Sequence, residues 1–236
     1  MNAAQQGALL ARKWSQFGDT VALMLDAKRF DQHVGQQALA WEHSVYNGVY
    51  GNRRLRELLR WQLENKGIGY ARDGHVEYKV QGCRMSGDMN TALGNVLIMC
   101  SLLHCYLESK GVKPVAVNNG DDCVIFCERR DLATIQNGLH EWFLEMGFDM
   151  VAEEPVDMLE QIEFCQARPV WTPDGYVMVR NVHRSLAKDA TCVHGIDSEK
   201  SYKNWIKSVG DCGMAMAGNI PIIGEFYKAF QRGGKG

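Results

Sequence analysis

The sequence predicts an α+β fold: a small, mostly antiparallel sheet backed by helices on one face, followed by a mainly helical C-terminal part. Three observations carry this. Apolar runs of strand length alternate with helical-period segments in the order strand, helices, long helix, hairpin, helix, strand. A run of turn-forming residues, Asn118-Asn119-Gly120-Asp121-Asp122, separates Val115-Ala116-Val117 from Cys123-Val124-Ile125-Phe126, the pattern of a tight hairpin. The 236 residues are 46% hydrophobic and 23% charged, enough for one sizeable core, or one domain with a smaller appendage, and too apolar for wholesale disorder.

Taken in order, residues 5–18 read as a helix, with Leu9, Leu10 and Trp14 at helical spacing. Asp19-Thr20 breaks it before the strand Val21–Leu25, which ends in Asp26. Residues 32–47 and 52–66 read as two helices parted near Gly48 and Gly51. The second opens with Arg53, Arg54, Arg56 and Arg60, a pattern that fits either a solvated basic face or a template-facing patch. His75 to Val80 alternates as a strand does, 82–87 is a loop, and a long helix runs from Gly87-Asp88 to about Lys110, with Asp88 near its positive end. Beyond the hairpin, a helix is expected over roughly 131–146 and short strands near 148–152 and 162–165. Thr172-Pro173-Asp174-Gly175 marks a turn between Val170-Trp171 and Tyr176–Val179, so a second hairpin fits. From about 184 the chain reads as mainly helical.

The net charge of −2 provides no general basic surface for a polyanion. Eight cysteines without a C-x-x-C pair, and no secretory signal, read as reduced, mostly buried thiols of a cytosolic protein. A zinc site on His183, Cys192 and His194 matches no standard spacing. The most apolar run, Leu93 to Leu107, is interrupted by Gly94, Asn95, Ser101 and His104, short of the ~20 apolar residues of a membrane span, and reads as a buried helix.

Three constellations carry chemistry. Asp26 and Asp31 lie five apart at the C-terminal end of an apolar strand, where a carboxylate can leave the sheet and reach a ligand; alone, the pair also fits a strand-capping aspartate. Asp121-Asp122 sits at a hairpin tip. Adjacent acids repel, so a hard cation held by carboxylate oxygens gives them a reason to be together, although turn chemistry alone accounts for them as well. If the hairpin tip lies beside the end of the first strand, Asp26 and Asp121 converge and could hold two metal ions ~3.5–4 Å apart. Third, Ser86 and Gly87 form a flexible loop ahead of Thr91 and Asn95, which share one helical face. Such groups can read a ribose 2′-hydroxyl, or can merely form a polar helix face.

In this order and at these spacings the segments resemble the palm of positive-strand RNA virus replicases of the tombusvirus and carmovirus type. Asp26 to Asp31, with Arg29-Phe30-Asp31-Gln32-His33-Val34, is similar to motif A; Ser86-Gly87, Thr91 and Asn95 to motif B; Gly120-Asp121-Asp122 to motif C; and Glu163-Phe164-Cys165-Gln166 to motif E. The resemblance implies an RNA-directed RNA polymerase, with an end of the fingers over 1–19, a palm over 20–167 and a partial thumb over 168–236. It implies that Asp26, Asp121 and Asp122 hold Mg2+, with Mn2+ as a substitute, and that the ions lower the pKa of the primer 3′-hydroxyl and neutralise the leaving pyrophosphate. Asp31 and Asn95 would bind the incoming ribose, supported by Ser86, Gly87 and Thr91, and Gly120, Cys165, Gln166 and Lys188 would lie along the RNA primer. An acid at Asp31, where reverse transcriptases place an aromatic residue, favours ribonucleotides.

The implied partners are template and product RNA, ribonucleoside triphosphates and other viral replication proteins. The implied setting is the host cytoplasm, at membrane-associated replication complexes anchored by regions outside this chain. Two departures stand out. The segment Gly147 to Glu154 lacks the lysine that motif D of many polymerases supplies to protonate pyrophosphate, and Lys188 is either a replacement or an ordinary exposed lysine. Only 25 residues precede Asp26, where the family has a basic fingers region, so a fragment of a longer replicase is expected, with little elongation on its own. The competing reading is a palm-like module that binds RNA without turnover.

Overall fold

The structure is a computed structural model and describes residues 1–193 and 195–234. Its helices and strands run α1 (Ala3–Trp14), β1 (Thr20–Ala27), α2 (Phe30–His33), α3 (Gln36–Tyr50), α4 (Arg53–Trp61), β2 (Glu64–Ala71), β3 (Gly74–Gln81), α5 (Thr91–Ser109), β4 (Val115–Asn119), β5 (Asp122–Glu128), α6 (Arg129–Gln136), α7 (Leu139–Glu145), β6 (Met150–Ala152), β7 (Ala167–Thr172), β8 (Gly175–Arg180), α8 (Val182–Asp189), α9 (Glu199–Ala217) and α10 (Ile223–Gly233). They form two compact units, one of residues 19–155 and one combining 1–18 with 156–236. The mixed α and β content with small antiparallel sheets agrees with the expected fold class.

In the 19–155 unit, a four-stranded sheet has the order β4-β5-β1-β6, with every neighbouring pair antiparallel. β1 alternates so that Val21, Leu23, Leu25 and Ala27 enter one core with Cys123, Ile125 and Cys127 of β5. Ile98, Met99, Leu103 and Tyr106 of α5, Ile135 of α6, and Leu139 and Phe143 of α7 complete that core. Ala22, Met24, Val124 and Phe126, on the opposite face, are buried too, so the central strands read as continuous apolar runs. Tyr106 fastens α5 to the α6–α7 connection by donating to Ile135 O (2.5 Å) and Asn137 O (3.2 Å). Burial, with Glu141 nearby, pushes its pKa up to about 12.

Several expectations need correction. The helix expected over 52–66 ends at Trp61, and residues from Glu64 join β2, which pairs with β3 through an eight-residue register from Glu64↔Gln81 to Ala71↔Gly74. Helix-favouring residues there yield to pairing with a partner ten or more positions away, closed by a two-residue turn at Arg72-Asp73. The helix expected over 131–146 is two, because Gly138 takes φ 73 and resets the chain. The strand expected at 162–165 is a short 3-10 turn, Leu159–Gln161, followed by a single bridge between Phe164 and Ala167. The thiols are not mostly buried: Cys123 and Cys127 are, while Cys100, Cys105 and Cys212 are exposed and Cys83, Cys165 and Cys192 are half-buried. Of the three residues weighed for a zinc site and found to lack a standard spacing, His194 lies outside the described residues.

The apolar run expected to fall short of a membrane span belongs to the longer α5, which by length and composition could cross a membrane. Ile98, Met99, Leu103 and Tyr106 of this helix pack into the sheet core, but only about a third of the apolar stretch is buried, so it is a half-buried helix and not the buried one expected.

In the second unit, α1 opens with a capping box in which Asn2 and Gln5 exchange side-chain and backbone hydrogen bonds. The β7–β8 hairpin has the expected turn, and α9 and α10 pack as an antiparallel pair. Tyr227 of α10 donates to Asp189 Oδ2 of α8 at 2.7 Å.

Candidate active site

Four segments of the 19–155 unit meet at one end of the sheet. The first is the end of β1. In the β1–β5 ladder Asp26 stands directly opposite Asp122, and directly opposed residues project from the same face. The second is the hairpin tip: Asn119 pairs with Asp122, leaving Gly120 and Asp121 as a two-residue loop. Gly120 has φ 80 and Asp121 has no positive φ, the pattern of a type II′ turn, which wants glycine first. Asn118 braces the turn. Its Nδ2 donates to Gly120 O (2.8 Å), and its Oδ1 accepts from Gly120 N (3.3 Å).

The third segment carries Asp31. Arg29, at φ 50, turns the chain out of β1 and starts the single-turn α2, whose second residue is Asp31. The fourth is the loop 82–90 with the start of α5. A turn closed by Asp88 N donating to Met85 O (2.9 Å) has Ser86 and Gly87 at its centre, and Thr91 Oγ1 ties it to α5 by donating to Met85 O (2.9 Å). The α5 helix opens at Thr91, not at Gly87-Asp88 as expected. Asn90, at its N-cap, makes no side-chain cap, because its amide is engaged by Glu42 and Gln62.

The third and fourth segments are bonded together. Arg84 N donates to Asp31 O (2.8 Å) and Cys83 Sγ to Gln32 O (3.3 Å). Ser86 Oγ donates to Asp31 Oδ2, and Asn95 Nδ2 donates to Asp31 Oδ1 at 2.7 Å. Hairpin and helix adjoin as well, since a Cβ on Gly120 would lie 3.4 Å from Asn95 Cβ. Between them is an open cavity of about 360 Å3 lined by Arg29, Phe30, Asp31, Gln32, Ser86, Asn95 and Asp121. Asp31, Ser86, Asn95 and Asp121 are therefore gathered around one cavity.

The aspartates at the sheet end are less tightly clustered. Among the described residues, no group of three or more His, Cys, Asp or Glu side chains is close enough to hold a metal ion. Asp26 and Asp122 share a row, whereas Asp121, one residue further along, sits in the turn. The donors are nonetheless the hard oxygens that a divalent cation prefers, Asp26 and Asp121 are exposed, and Asp26 and Asp122 face the same way, so the residues fit such an ion.

Sequence reasoning did not single out the polar groups behind the cavity. Arg84 and Glu42 form an ion pair whose side chains are both 0% exposed, and Arg84 Nε donates to Asn95 Oδ1 (3.1 Å). Glu42 Oε1 accepts from Asn90 Nδ2 (2.8 Å), Gln62 Nε2 donates to Asn90 Oδ1 (2.7 Å), and His43 Nε2 meets Gln62 Oε1 at 3.1 Å. Burial lowers the pKa of His43, only partly offset by Gln62 and Glu42, and raises that of the neighbouring Tyr46. The missed signal was a buried charge: glutamate at 42 lies on the apolar face of a helix between Leu39 and Tyr46.

The remaining site candidates, Cys165, Gln166 and Lys188, belong to the other unit. Phe164 and Ala167 exchange backbone hydrogen bonds of 2.9 and 3.1 Å across Cys165 (φ 53) and Gln166 (φ 59). Positive φ at both central residues makes a type I′ turn, here built without glycine, and Glu163 and Arg168 straddle it as an ion pair of 3.2 Å. Lys188 is exposed on α8.

Comparison with known proteins places the chain as a whole in a family. Residues 1–236 match the family described as viral RNA dependent RNA polymerase. The chain is 45% identical over 231 residues, 98% of its length, to the RNA-directed RNA polymerase of Turnip crinkle virus. It is 48% identical over 228 residues (95%) to that of Oat chlorotic stunt virus, and 46% identical over 231 (97%) to that of Tomato bushy stunt virus, strain Cherry. It spans 29%, 30% and 28% of these three relatives respectively. A family match over every residue, with near-half identity to several polymerases, establishes that this chain belongs to the viral RNA-dependent RNA polymerases.

Proposed function

We propose that this chain is the part of a viral replicase that joins ribonucleotides on an RNA template. The 3′-hydroxyl of a primer loses its proton to solvent as its oxygen bonds to the α-phosphorus of a ribonucleoside triphosphate, the bond from that phosphorus to the bridging oxygen breaks, and pyrophosphate leaves. The observation that carries this reading is the Asp31 carboxylate, held on both oxygens by Ser86 and Asn95 in a cavity that Asp121 also lines. A carboxylate so held has fixed lone pairs left for a sugar hydroxyl, and an acidic group for cation chemistry stands beside it.

In this reading Asp26, Asp121 and Asp122 hold divalent ions, magnesium by preference for its hard oxygen ligands, with manganese as a substitute. Those ions, when bound, supply Lewis-acid activation and charge neutralisation for an in-line displacement. The chain's own contributions are distinct. Asp31 accepts from the 2′-hydroxyl, Asn95 and Ser86 orient Asp31, and Thr91 and Gly87 shape the loop that presents Ser86. Arg29, at the cavity edge, provides a cation for the triphosphate. Gly120 lets the hairpin tip approach α5 closely. The 19–155 unit corresponds to the palm and the C-terminal helices to part of a thumb. The Cys165-Gln166 turn and Lys188 would contact primer RNA, consistent with backbone strain of the kind that functional sites retain. Work on RNA in the host cytoplasm alongside other replication proteins completes the reading.

The test is Asp121→Asn in a polymerase of the family's full length that carries this chain. We expect nucleotide incorporation to fall by at least about a thousandfold while RNA affinity changes little. Near-normal incorporation by this variant would remove Asp121 from the chemistry and leave RNA binding without turnover as the better description.

A further inference from the structure

Asn95 serves Asp31 only if its amide faces one way. Its Nδ2 donates to Asp31 Oδ1 at 2.7 Å; turned over, the amide would set its oxygen against a carboxylate. The amide is fixed from behind, where Arg84 Nε donates to Asn95 Oδ1 at 3.1 Å. Arg84 is in turn paired with Glu42, and neither side chain is exposed. Glu42 is held on its other oxygen by Asn90 at 2.8 Å. Arg84 also reaches the same aspartate through the backbone, its N–H donating to Asp31 O at 2.8 Å.

As a stabilising device this pair is expensive. Burying two charges strips both of water before their attraction is counted, and an apolar pair of similar volume is often as stable or better. Arg84 Nη1 moreover finds no acceptor among the described residues. An apolar pair could not, however, donate to Asn95 Oδ1 and hold that amide in the orientation Asp31 needs.

We propose that the Arg84–Glu42 pair sets the sugar selectivity of the site: by pinning the Asn95 amide it keeps Asp31 aimed at a 2′-hydroxyl, so preference for ribonucleotides over 2′-deoxyribonucleotides depends on two positioning residues that never touch the nucleotide. This rests on the reading of Asp31 and Asn95 as ribose-recognising groups.

The experiment compares kcat/KM for a ribonucleoside triphosphate and its 2′-deoxy analogue in a full-length polymerase carrying this chain. The variants are Arg84→Lys, which keeps the buried charge paired but loses the fork, and the double replacement Arg84→Met/Glu42→Leu, which leaves no orphan charge. Asn95→Ala is the control for the underlying reading. The ratio is taken on each variant whose circular dichroism matches the parent; Arg84→Lys, the smallest change, is expected to qualify. We expect the ribo-to-deoxy ratio to fall about ten- to a hundredfold in the Arg84 variants, with most of the loss on the ribonucleotide side. A parental ratio in Arg84→Lys or in the double variant, while Asn95→Ala collapses it, would overturn the inference and leave the pair as structural packing. A parental ratio in Asn95→Ala as well would overturn the reading of Asp31 and Asn95 itself. If no Arg84 variant folds like the parent, the pair is required for folding and its assignment to selectivity is overturned.

Discussion

Gly94→Ala offers a test in which propensity and packing predict opposite signs. Gly94 lies inside α5, where alanine is ordinarily favoured over glycine by about 1 kcal/mol, so the helix alone predicts a gain. The structure predicts a loss. A Cβ at 94 would lie 2.5 Å from Glu42 Cδ, and closer still to Glu42 Oε1 and Arg84 Nη2, whereas ordinary contact begins at 3.4 Å. The ion pair must therefore retreat by about 1 Å into a region with no exposed surface. Overpacking of that kind costs about 1–3 kcal/mol. A shift of about 1 Å also stretches the 3.1 Å bond from Arg84 to Asn95 beyond hydrogen-bond range, and loss of such a charge-assisted bond costs about 1.5–3 kcal/mol. Set against the propensity gain, the net loss is about 3 kcal/mol. Because the protein has two compact units, the suitable assay is amide hydrogen exchange read by mass spectrometry on peptides covering Thr91–Ser109. Exchange there should accelerate on the order of a hundredfold, since 1.4 kcal/mol is a factor of ten. Exchange equal to or slower than the parent would refute the packing of Gly94 against the buried pair.

Two further outcomes follow from the titratable groups. Burial lowers the pKa of His43 from its ordinary 6.5, so the folded unit binds fewer protons than the unfolded chain below that value. The stability that His43 contributes is thus present above about pH 6.5 and declines as pH falls below it; urea midpoints at pH 7.5 and 5.5 should show a smaller acid-side drop in His43→Gln than in the parent, and equal drops would exclude His43 as the source. Burial also raises the Cys123 thiol and pushes Cys127 up to about 11, while Cys105 and Cys212 are exposed. Iodoacetamide at pH 8 should label the latter pair on the order of a hundredfold faster in the folded protein, with Cys123 and Cys127 reacting only after denaturation, as peptide mapping would reveal.

The sequence by itself determined what is local. The run from Val21 to Leu25 ending in Asp26, the turn residues Asn118 to Asp122 between apolar runs, and the long helix reaching about Lys110, though not its start, were legible because period and turn chemistry depend on near neighbours. Together with the resemblance to the palm of viral replicases, they brought Asp31, Ser86, Asn95 and Asp121 forward as candidates, and these line one cavity. Only the tertiary structure decided what depends on distant partners. β2 is a strand because β3 pairs with it, although its opening residues favour a helix. Arg84 and Glu42 are separated by 42 positions in the chain; the place of Glu42 between Leu39 and Tyr46 marks a buried charge, but nothing local names its partner, and a side chain at Gly94 would collide with both. The energy of a buried charge is set by its partner and by the water it loses, and neither is written in the residues beside it.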